Sequence, residues 1–293
     1  MSLIQKYVGQ RWSQADRTPK RRHWWTSQVL SSHIDKRICP LHETGVSGLL
    51  REAIGERSLD HGVSIGAGDG TKEIRLLKSG LVEHFTLYEL SAHRAQAARG
   101  AARAAGLEEK VTVRVADAFS EAPEPIYDFV YWDHALHHMM DVDYALLWSK
   151  KSLRPGGVLL INDYIGRTRL QWTRQEVDRA RQFIAANQDF LPKEISTIKY
   201  KTIFHRWKQM LKDPSEAPQS DRIEESVRRH FGIDMDRIGG AMIHLCAGSV
   251  LEATGTDERH PLLERLIRFD MDALEDGHCH FASAIWIKPD HAV

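Results

Sequence analysis

The hydrophobic positions along the chain switch repeatedly between the two-residue period of strands and the spacing of helix faces. Val63-Ser64-Ile65 ends at a glycine-rich loop, and the stretch that follows places Ile74, Leu77 and Leu81 on one helix face. Further apolar strands alternate with helical stretches, namely strands at 85–88, 111–115, 127–132 and 158–161 and helices at 91–105 and 141–153. This order predicts a doubly wound α/β sheet with right-handed crossovers.

Changes in this rhythm divide the chain into four parts. Residues 1–57 are polar, basic and aromatic and are predicted to be mostly helical, as an N-terminal extension or lid, and residues 58–165 form the core of the sheet. Residues 166–218 are helical, charged and aromatic, which predicts an insertion over the carboxyl edge of the sheet. Residues 219–293 complete the sheet through a helix at 220–230, a strand near 232–238, a helix at 261–276 and a last strand from Phe281 to Ile287.

Composition narrows the classes of partner. Forty basic and forty acidic residues cancel, which argues against broad nucleic-acid binding because such binding needs excess Lys and Arg to neutralise phosphates. A local basic cluster, Arg17 to Arg22, stays open as an RNA or phosphate contact or as a solvated face. No run of about 18 apolar residues predicts a membrane span, and Met1 to Lys6 lacks an apolar signal core. Three separated cysteines indicate reduced thiols, and we expect a cytoplasmic protein.

The candidate chemistry begins at the loop Gly66-Ala67-Gly68-Asp69-Gly70. In open α/β sheets ligands bind outside the carboxyl ends of the strands, and this loop follows the first strand. A dinucleotide-binding loop requires a third small residue three positions after the second glycine, and this chain has Thr71 there. This spacing therefore argues against NAD as the ligand of the loop.

Two later strand ends add acids. Glu89 ends the second strand, where a carboxylate can accept both ribose hydroxyls, although an acid there serves NAD equally well. Asp117 ends the third strand and can accept the adenine amino group, while Phe119 packs on the ring. Features on three successive strand ends together predict a ligand that carries ribose and adenine.

These motifs resemble those of class I S-adenosylmethionine (SAM)-dependent methyltransferases. The segments that carry the resemblance are Val63 to Gly70, Glu89, Ala116-Asp117-Ala118-Phe119 and Leu153-Arg154-Pro155-Gly156-Gly157, all between about 58 and 165. Asp133 to His138 is similar to the "aLHH" segment of the small-molecule branch. A bacterial group often associated with glycosyltransferases and natural-product pathways is similar at Arg22 to Trp25, Glu73, Asn162 to Gly166, Arg169 to Trp172 and Gly239-Gly240.

The resemblance implies a Rossmann-like, seven-stranded sheet with an N-terminal helical extension and a helical cap insertion. It also implies SAM as cofactor, held by Ile65, Gly66, Ala67, Gly68, Glu73, Glu89, Leu90, Asp117, Ala118, Phe119, Trp132, Asp133 and His134. Three positions depart from the family patterns. Many class I enzymes have an acid where this chain has Ser64, and the bacterial group has proline at Arg167 and glutamate at Asp163.

The family implies methyl transfer by in-line displacement at the sulfonium, in a dry, aromatic-lined site. For an oxygen acceptor we predict His138 as the base, with His137 and Tyr164 as further catalytic candidates, whereas an amine needs only binding and desolvation. The predicted substrate-lining residues are Trp25, Tyr164, Arg167, Trp172 and His244. No metal is expected, because residues of an extended stretch such as His278-Cys279-His280 rarely point inward together.

The leading hypothesis is a methyltransferase that acts on an O or N atom of a small molecule in secondary metabolism. The predicted partner is that small molecule, rather than nucleic acid or a membrane, and a homodimer stays open. The alternatives are an RNA or protein methyltransferase, a SAM-fold enzyme that cyclises the aminobutyl chain of SAM and releases methylthioadenosine, and a non-catalytic SAM-binding partner.

Overall fold

One seven-stranded sheet forms the centre of the computed structural model, which describes residues 3–15, 23–191, 198, 207, 211 and 213–290. The strand order is β3-β2-β1-β4-β5-β7-β6. The strands are β1 (Leu59–Ile65), β2 (Val82–Tyr88), β3 (Val111–Arg114), β4 (Tyr127–Asp133), β5 (Leu153–Tyr164), β6 (Asp236–Gly239) and β7 (Phe281–Ile287). The predicted Rossmann-like, seven-stranded fold is confirmed.

Ten helices of eight or more residues lie in the described parts of the chain. They are α1 (Leu3–Ala15), α2 (Gln28–Ile38), α3 (Val46–Ile54), α4 (Thr71–Lys78), α5 (Ala92–Ala104), α6 (Val142–Ser152), α7 (Arg174–Ala186), α8 (Ile223–Phe231), α9 (Ala241–Thr254) and α10 (Pro261–Glu275). Three of them, α1 to α3, precede the sheet, and α7 belongs to the segment after β5. None of the helices that the structure describes is long and apolar enough to cross a membrane.

The topology places a crevice at the middle of the sheet. Strands β1 to β5 run parallel, while β7 is antiparallel to both β5 and β6. From β1 the chain moves outward to β2 and β3 and then returns to β4 on the other side of β1. Because the order reverses between β1 and β4, the loops after these two strands open a ligand site at the carboxyl edge.

The core covers both faces of the sheet. Successive strand residues point to opposite faces, so Phe129 and Tyr131 pack with α3 and α4, whereas Val130 and Trp132 pack with α6 and α8. A third buried cluster lies beyond β7, where α2, α7, α9 and α10 pack together around Phe281. This cluster supports the end of the sheet that lies away from the glycine loop.

Two features differ from the predicted elements. Helix α9 has no predicted counterpart, because apolar residues surround it on nearly every side and leave no polar stripe to reveal its period. Strand β5 begins at Leu153, inside the predicted helix, and continues through Pro155-Gly156-Gly157. The Gly156 N–H donates to the Lys288 carbonyl oxygen at 2.9 Å, so this glycine turn joins the sheet.

Candidate active site

A cavity of about 330 Å³ lies at the carboxyl ends of β1, β2 and β3. This volume falls in the range of about 300–1,000 Å³ that small-molecule sites occupy. The residues predicted from sequence that line it are Ile65, Gly66, Glu89, Leu90, Asp117, Ala118, Phe119 and His138. This set includes residues from the ends of β1, β2 and β3, the three strand ends at which the sequence predicts the ligand.

The glycine loop has the conformation that its composition requires. Gly66, Gly68 and Gly70 have φ values of +70°, +62° and +69°, which side chains rarely tolerate. The Gly66 N–H donates to the Tyr88 carbonyl at 2.8 Å, so the loop turns directly from β1 toward β2. The cavity wall at this point is therefore backbone rather than side chain.

Ser64 departs from the family's acid, and the structure supplies a carboxyl group from another element. The Ser64 hydroxyl donates to Glu73 Oε1 at 2.6 Å, and Glu73 lies in the first turn of α4. The other carboxyl oxygen of Glu73 has no hydrogen-bond partner among the described residues. Burial raises the pKa of Glu73 to about 7, against the lowering effect of the Ser64 hydrogen bond. Glu73 lies beneath the loop and does not line the cavity.

Glu89 and Asp117 are held by backbone amides. Glu89 accepts hydrogen bonds from the amides of Gly68 at 2.9 Å and Ser91 at 2.7 Å, so its carboxylate joins the glycine loop to the end of β2. Burial raises the pKa of Glu89. Asp117 accepts from the Phe119 amide at 3.0 Å. Both acids are thus fixed in the cavity wall, and Phe119 stacks on Trp132 with ring centroids 6.5 Å apart.

Helix α1, in the segment predicted as an N-terminal extension or lid, covers the cavity with two residues that the sequence did not single out. Val8 and Trp12 line it one helical turn apart, and the Arg94 guanidinium lies over the Trp12 ring at 4.3 Å. Gly9 permits the close approach, since a Cβ there would lie 2.4 Å from the Leu90 carbonyl oxygen. The spacing of Val8 and Trp12 was the only signal in the sequence for this contact.

Three predicted cofactor residues at the carboxyl end of β4 do not line the cavity. Trp132 is fully buried and donates from Nε1 to Ser149 Oγ at 2.9 Å. Asp133 accepts from Lys72 Nζ at 3.0 Å, and His134 packs against Trp24 and Phe281. These three side chains therefore contact other parts of the protein. Two further predicted cofactor residues, Ala67 and Gly68, do not line the cavity either, and the Gly68 amide donates to Glu89. Burial and the nearby Lys72 charge lower the pKa of His134 to about 4, so its ring is neutral near pH 7.

His137 is bound to a buried acid. Its Nδ1 lies 2.5 Å from Asp163 Oδ1, and the amides of Ala135 and Leu136 donate to the other oxygen of Asp163. Burial opposes the charge on Asp163, but the attraction and hydrogen bond of His137 lower its pKa to about 2. For His137, burial is likewise outweighed by Asp163, and its pKa is raised. Asp163 therefore fixes both the turn after β4 and the ring that the turn carries.

His138 is the predicted catalytic residue that lines the cavity. Its Nδ1 lies 3.0 Å from the Ser215 carbonyl oxygen, and its ring meets the edge of Trp12 with centroids 5.3 Å apart. Burial, and then the neighbouring His137, lower the pKa of His138. Ser215 belongs to loop 213–217, which Arg169 holds by donating to the carbonyls of Pro214 and Glu216 at 2.6 and 3.2 Å.

Three of the predicted substrate residues come together, beyond His137. Tyr164 contacts His137, His244 and Phe281, and Trp172 packs on His244 with centroids 5.8 Å apart. This group lies outside the cavity walls. Arg167 is exposed, and its carbonyl oxygen accepts from the Tyr164 hydroxyl at 3.2 Å.

Trp25 lies apart from the predicted site. Its side chain is 59% exposed and stacks on His23, whereas the adjacent Trp24 is buried. The residue that packs toward the sheet from this helical turn is therefore Trp24, against His134 and Phe281. The basic cluster from Arg17 to Arg22 lies outside the described residues.

The His278-Cys279-His280 stretch divides between two sides. His280 Nε2 lies 3.2 Å from Glu176 Oε1 and His278 Nδ1 lies 3.9 Å from it, while the Cys279 thiol contacts the Gly239 backbone. Burial is outweighed by the His280 contacts, which lower the pKa of Glu176 to about 2. Glu176 also caps α7 through Thr173, so this cluster joins α7 to the start of β7.

Comparison with known proteins agrees with this geometry. Residues 63–161 match the family model described as "Methyltransferase domain". Over 121 residues the chain is 31% identical to 27-O-demethylrifamycin SV methyltransferase of Amycolatopsis mediterranei (strain S699). That match covers 41% of this chain and 43% of the relative, so it spans less than half of either protein.

Two solved structures share the fold over nearly the whole chain. The [4+2]-cyclase SpnF has a TM-score of 0.56 at 15% identity, with 99% of this chain and 98% of that chain covered. Geranyl diphosphate C-methyltransferase from Streptomyces coelicolor A3(2) has a TM-score of 0.57 at 12% identity, with 98% and 99% covered. At these identities the likeness concerns the fold. Residues 63–161 thus match a methyltransferase domain, and the strand order and the strand-end motifs agree with a class I SAM-dependent methyltransferase.

Proposed function

We propose that the protein binds SAM in the cavity beside β1 to β3 and transfers its methyl group to an O or N atom of a small molecule. The observation that carries the proposal is the convergence of the Gly66 backbone, Glu89, Asp117 and Phe119 on one cavity. Two carboxylates suit the ribose hydroxyls and the adenine amino group, and the aromatic ring suits the adenine face.

The surroundings of the cavity also suit methyl transfer. The sulfonium of SAM loses its charge as the methyl group leaves, so a site with aromatic walls and little water favours the transfer. Helix α1 closes one side of the cavity with Trp12, and His138 forms part of the wall. His138 is the side chain that we propose activates an oxygen acceptor. An amine acceptor would need positioning alone.

A small, oxygen-bearing acceptor is supported by the Amycolatopsis relative, whose name gives 27-O-demethylrifamycin SV as its substrate. The partner that we propose is such a molecule, in secondary metabolism, rather than a nucleic acid.

Binding of S-adenosylhomocysteine, measured by calorimetry, tests the cofactor site. The Glu89→Ala variant loses the acceptor for the ribose hydroxyls, and we expect affinity to fall by about 1–3 kcal/mol, or about 5- to 150-fold. Glu83→Ala is the matched control, because Glu83 lies at the other end of β2 and pairs with Lys110. Equal affinity of wild type and Glu89→Ala would contradict the proposed site.

The product identifies the chemistry. We expect incubation with SAM and a panel of small phenols and amines to yield S-adenosylhomocysteine and a methylated acceptor, detected by mass spectrometry. Methylthioadenosine formed from SAM alone would indicate cyclisation of the aminobutyl chain instead and would contradict methyl transfer. Salt-sensitive RNA binding with methylated RNA as product would move the assignment to an RNA methyltransferase.

A further inference from the structure

His137, His138 and Glu216 form a cluster in which one ligand atom from each side chain lies within 4.8 Å of the others. The two histidines follow β4. Glu216 is in loop 213–217, where Arg169 donates a hydrogen bond to the Glu216 carbonyl. Metal ligands at about 2 Å from a Zn²⁺ ion stand roughly 3.3 Å apart in a tetrahedral site. Small side-chain rotations would thus bring these three atoms to ligand distance.

The hydrogen bonds of both rings are those of metal-binding histidines. The Ser215 carbonyl can only accept, so His138 Nδ1 carries the proton in their 3.0 Å hydrogen bond and leaves Nε2 with a lone pair. Asp163 already accepts hydrogen bonds from two backbone amides and likewise accepts one from His137 Nδ1–H. Metal-binding histidines characteristically donate their other ring N–H to a carboxylate or a backbone carbonyl.

The carboxylate of Glu216 completes the set. Within the described residues it makes no hydrogen bond or ion pair, although the side chain is partly buried and its own carbonyl is bound by Arg169. The backbone next to it is fixed as well, because Ser215 donates from its amide and its hydroxyl to Asp213 Oδ1 at 3.0 and 2.7 Å. A fixed loop therefore presents an acceptor-only group to two imidazole rings.

The cluster borders the cavity, since both His138 and Ser215 line it. An ion held by three protein ligands would keep a position open toward the cavity, as catalytic metal sites do. Two imidazoles and one carboxylate suit Zn²⁺ or Fe²⁺ better than Mg²⁺, which prefers oxygen ligands. The charges of Asp163 and Glu216 would offset the two positive charges of the ion close to a cationic sulfonium.

We propose that His137, His138 and Glu216 bind a divalent transition-metal ion that takes the acceptor's oxygen in its open position. This proposal rests on the proposed methyl transfer. The metal-bound hydroxyl loses its proton to solvent, and its oxygen lone pair forms the new C–O bond while the methyl–sulfur bond breaks and leaves its electron pair on sulfur. Direct proton acceptance by His138 uses the same ring nitrogen, so the two modes exclude each other.

Zn²⁺ titration of chelator-treated protein tests the site, with Co²⁺ absorption as a second probe of the ligand set. We expect one ion per chain in the wild type and at least a tenfold loss of affinity in Glu216→Gln. The glutamine has nearly the same shape, and Glu216 makes no side-chain hydrogen bond within the described residues, so the fold should persist. His84→Ala is the control for surface histidines and should bind like the wild type.

Two results would overturn the proposal: no stoichiometric ion in the wild type, or equal Zn²⁺ affinity in Glu216→Gln. Binding of S-adenosylhomocysteine separates this failure from that of the proposed function. If the protein binds S-adenosylhomocysteine but no metal, only the metal site fails, and His138 remains the direct base. If it binds neither, the cofactor assignment fails as well.

Discussion

The two sides of the cavity are held together in different ways. On the cofactor side, which consists of Gly66, Glu89, Asp117 and Phe119, backbone amides donate to the carboxylates at the strand ends over at most 21 positions of sequence. The histidine side, which consists of His137, His138, Asp163 and loop 213–217, depends on buried charge and on distant segments. His138 and Ser215, for example, are 77 positions apart. A change on the cofactor side should therefore cost mainly ligand affinity, whereas one on the histidine side should cost stability.

The largest effect that this comparison predicts is at Asp163. Asp163→Ala removes the acceptor of the Ala135 and Leu136 amides and leaves His137 buried without its carboxylate. Breaking a buried pair from one side costs about 3–5 kcal/mol, and we expect a loss of this size in the free energy of unfolding from urea titration.

The matched control is Asp234→Ala. Asp234 pairs with Arg228 at the surface, where both side chains are more than 60% exposed, and its removal should cost less than about 1 kcal/mol. If Asp163→Ala were no more destabilising than Asp234→Ala, the histidine side would not depend on buried charge, and the contrast between the two sides would disappear.

A smaller effect is expected at Glu73, beneath the cofactor side. Burial raises its folded-state pKa to about 7, above the ordinary value of 4.5, so it favours folding below pH 4.5 and this contribution is lost as pH rises through 7. Relative to Glu73→Gln, the wild type should lose about 2.5 kcal/mol of unfolding free energy between pH 5 and 8.

The Ser64→Ala variant sharpens the same prediction. The Ser64 hydroxyl stabilises the ionised carboxyl group of Glu73, so removing it should raise the pKa further and extend the loss of stability to higher pH. If the unfolding free energies of the wild type and of Glu73→Gln changed equally with pH, Glu73 would not carry this buried charge.

The two sides also differ in how far the sequence predicts them. On the cofactor side Gly66 and Glu89 directly follow β1 and β2, and Asp117 lies three positions after β3, so the periodicity that predicts the strands also places Glu89 and Asp117 at one edge. The same periodicity predicts the sheet itself, because its parallel strands are short, apolar and separated by amphipathic helices. It fails for α9, where apolar residues lie on nearly every side and leave no clear polar stripe.

The histidine side depends on tertiary contacts that no local pattern encodes. In the sequence Asp163 is visible only as a departure from a family motif. Its hydrogen bonds with the turn after β4 join the ends of two different strands, which the sequence does not reveal. Glu216 lies near the histidines in a loop whose carbonyls are bound by Arg169, 47 positions earlier. A lone glutamate in a polar loop gives no sign of such a neighbourhood.

The smallest expected effect concerns the tryptophan that the sequence assigned to the substrate. Trp25 is 59% exposed and contacts His23, so Trp25→Ala should change the unfolding free energy by less than about 0.5 kcal/mol and leave S-adenosylhomocysteine affinity unchanged. Trp24→Ala is the matched variant and should cost about 3–5 kcal/mol, because Trp24 is buried against His134 and Phe281. Urea titrations and calorimetry of both variants measure the difference. If only Trp25→Ala lost turnover, with its stability and cofactor affinity intact, Trp25 would belong to the acceptor site as the sequence predicts. The histidine side would then extend to the N-terminal helices.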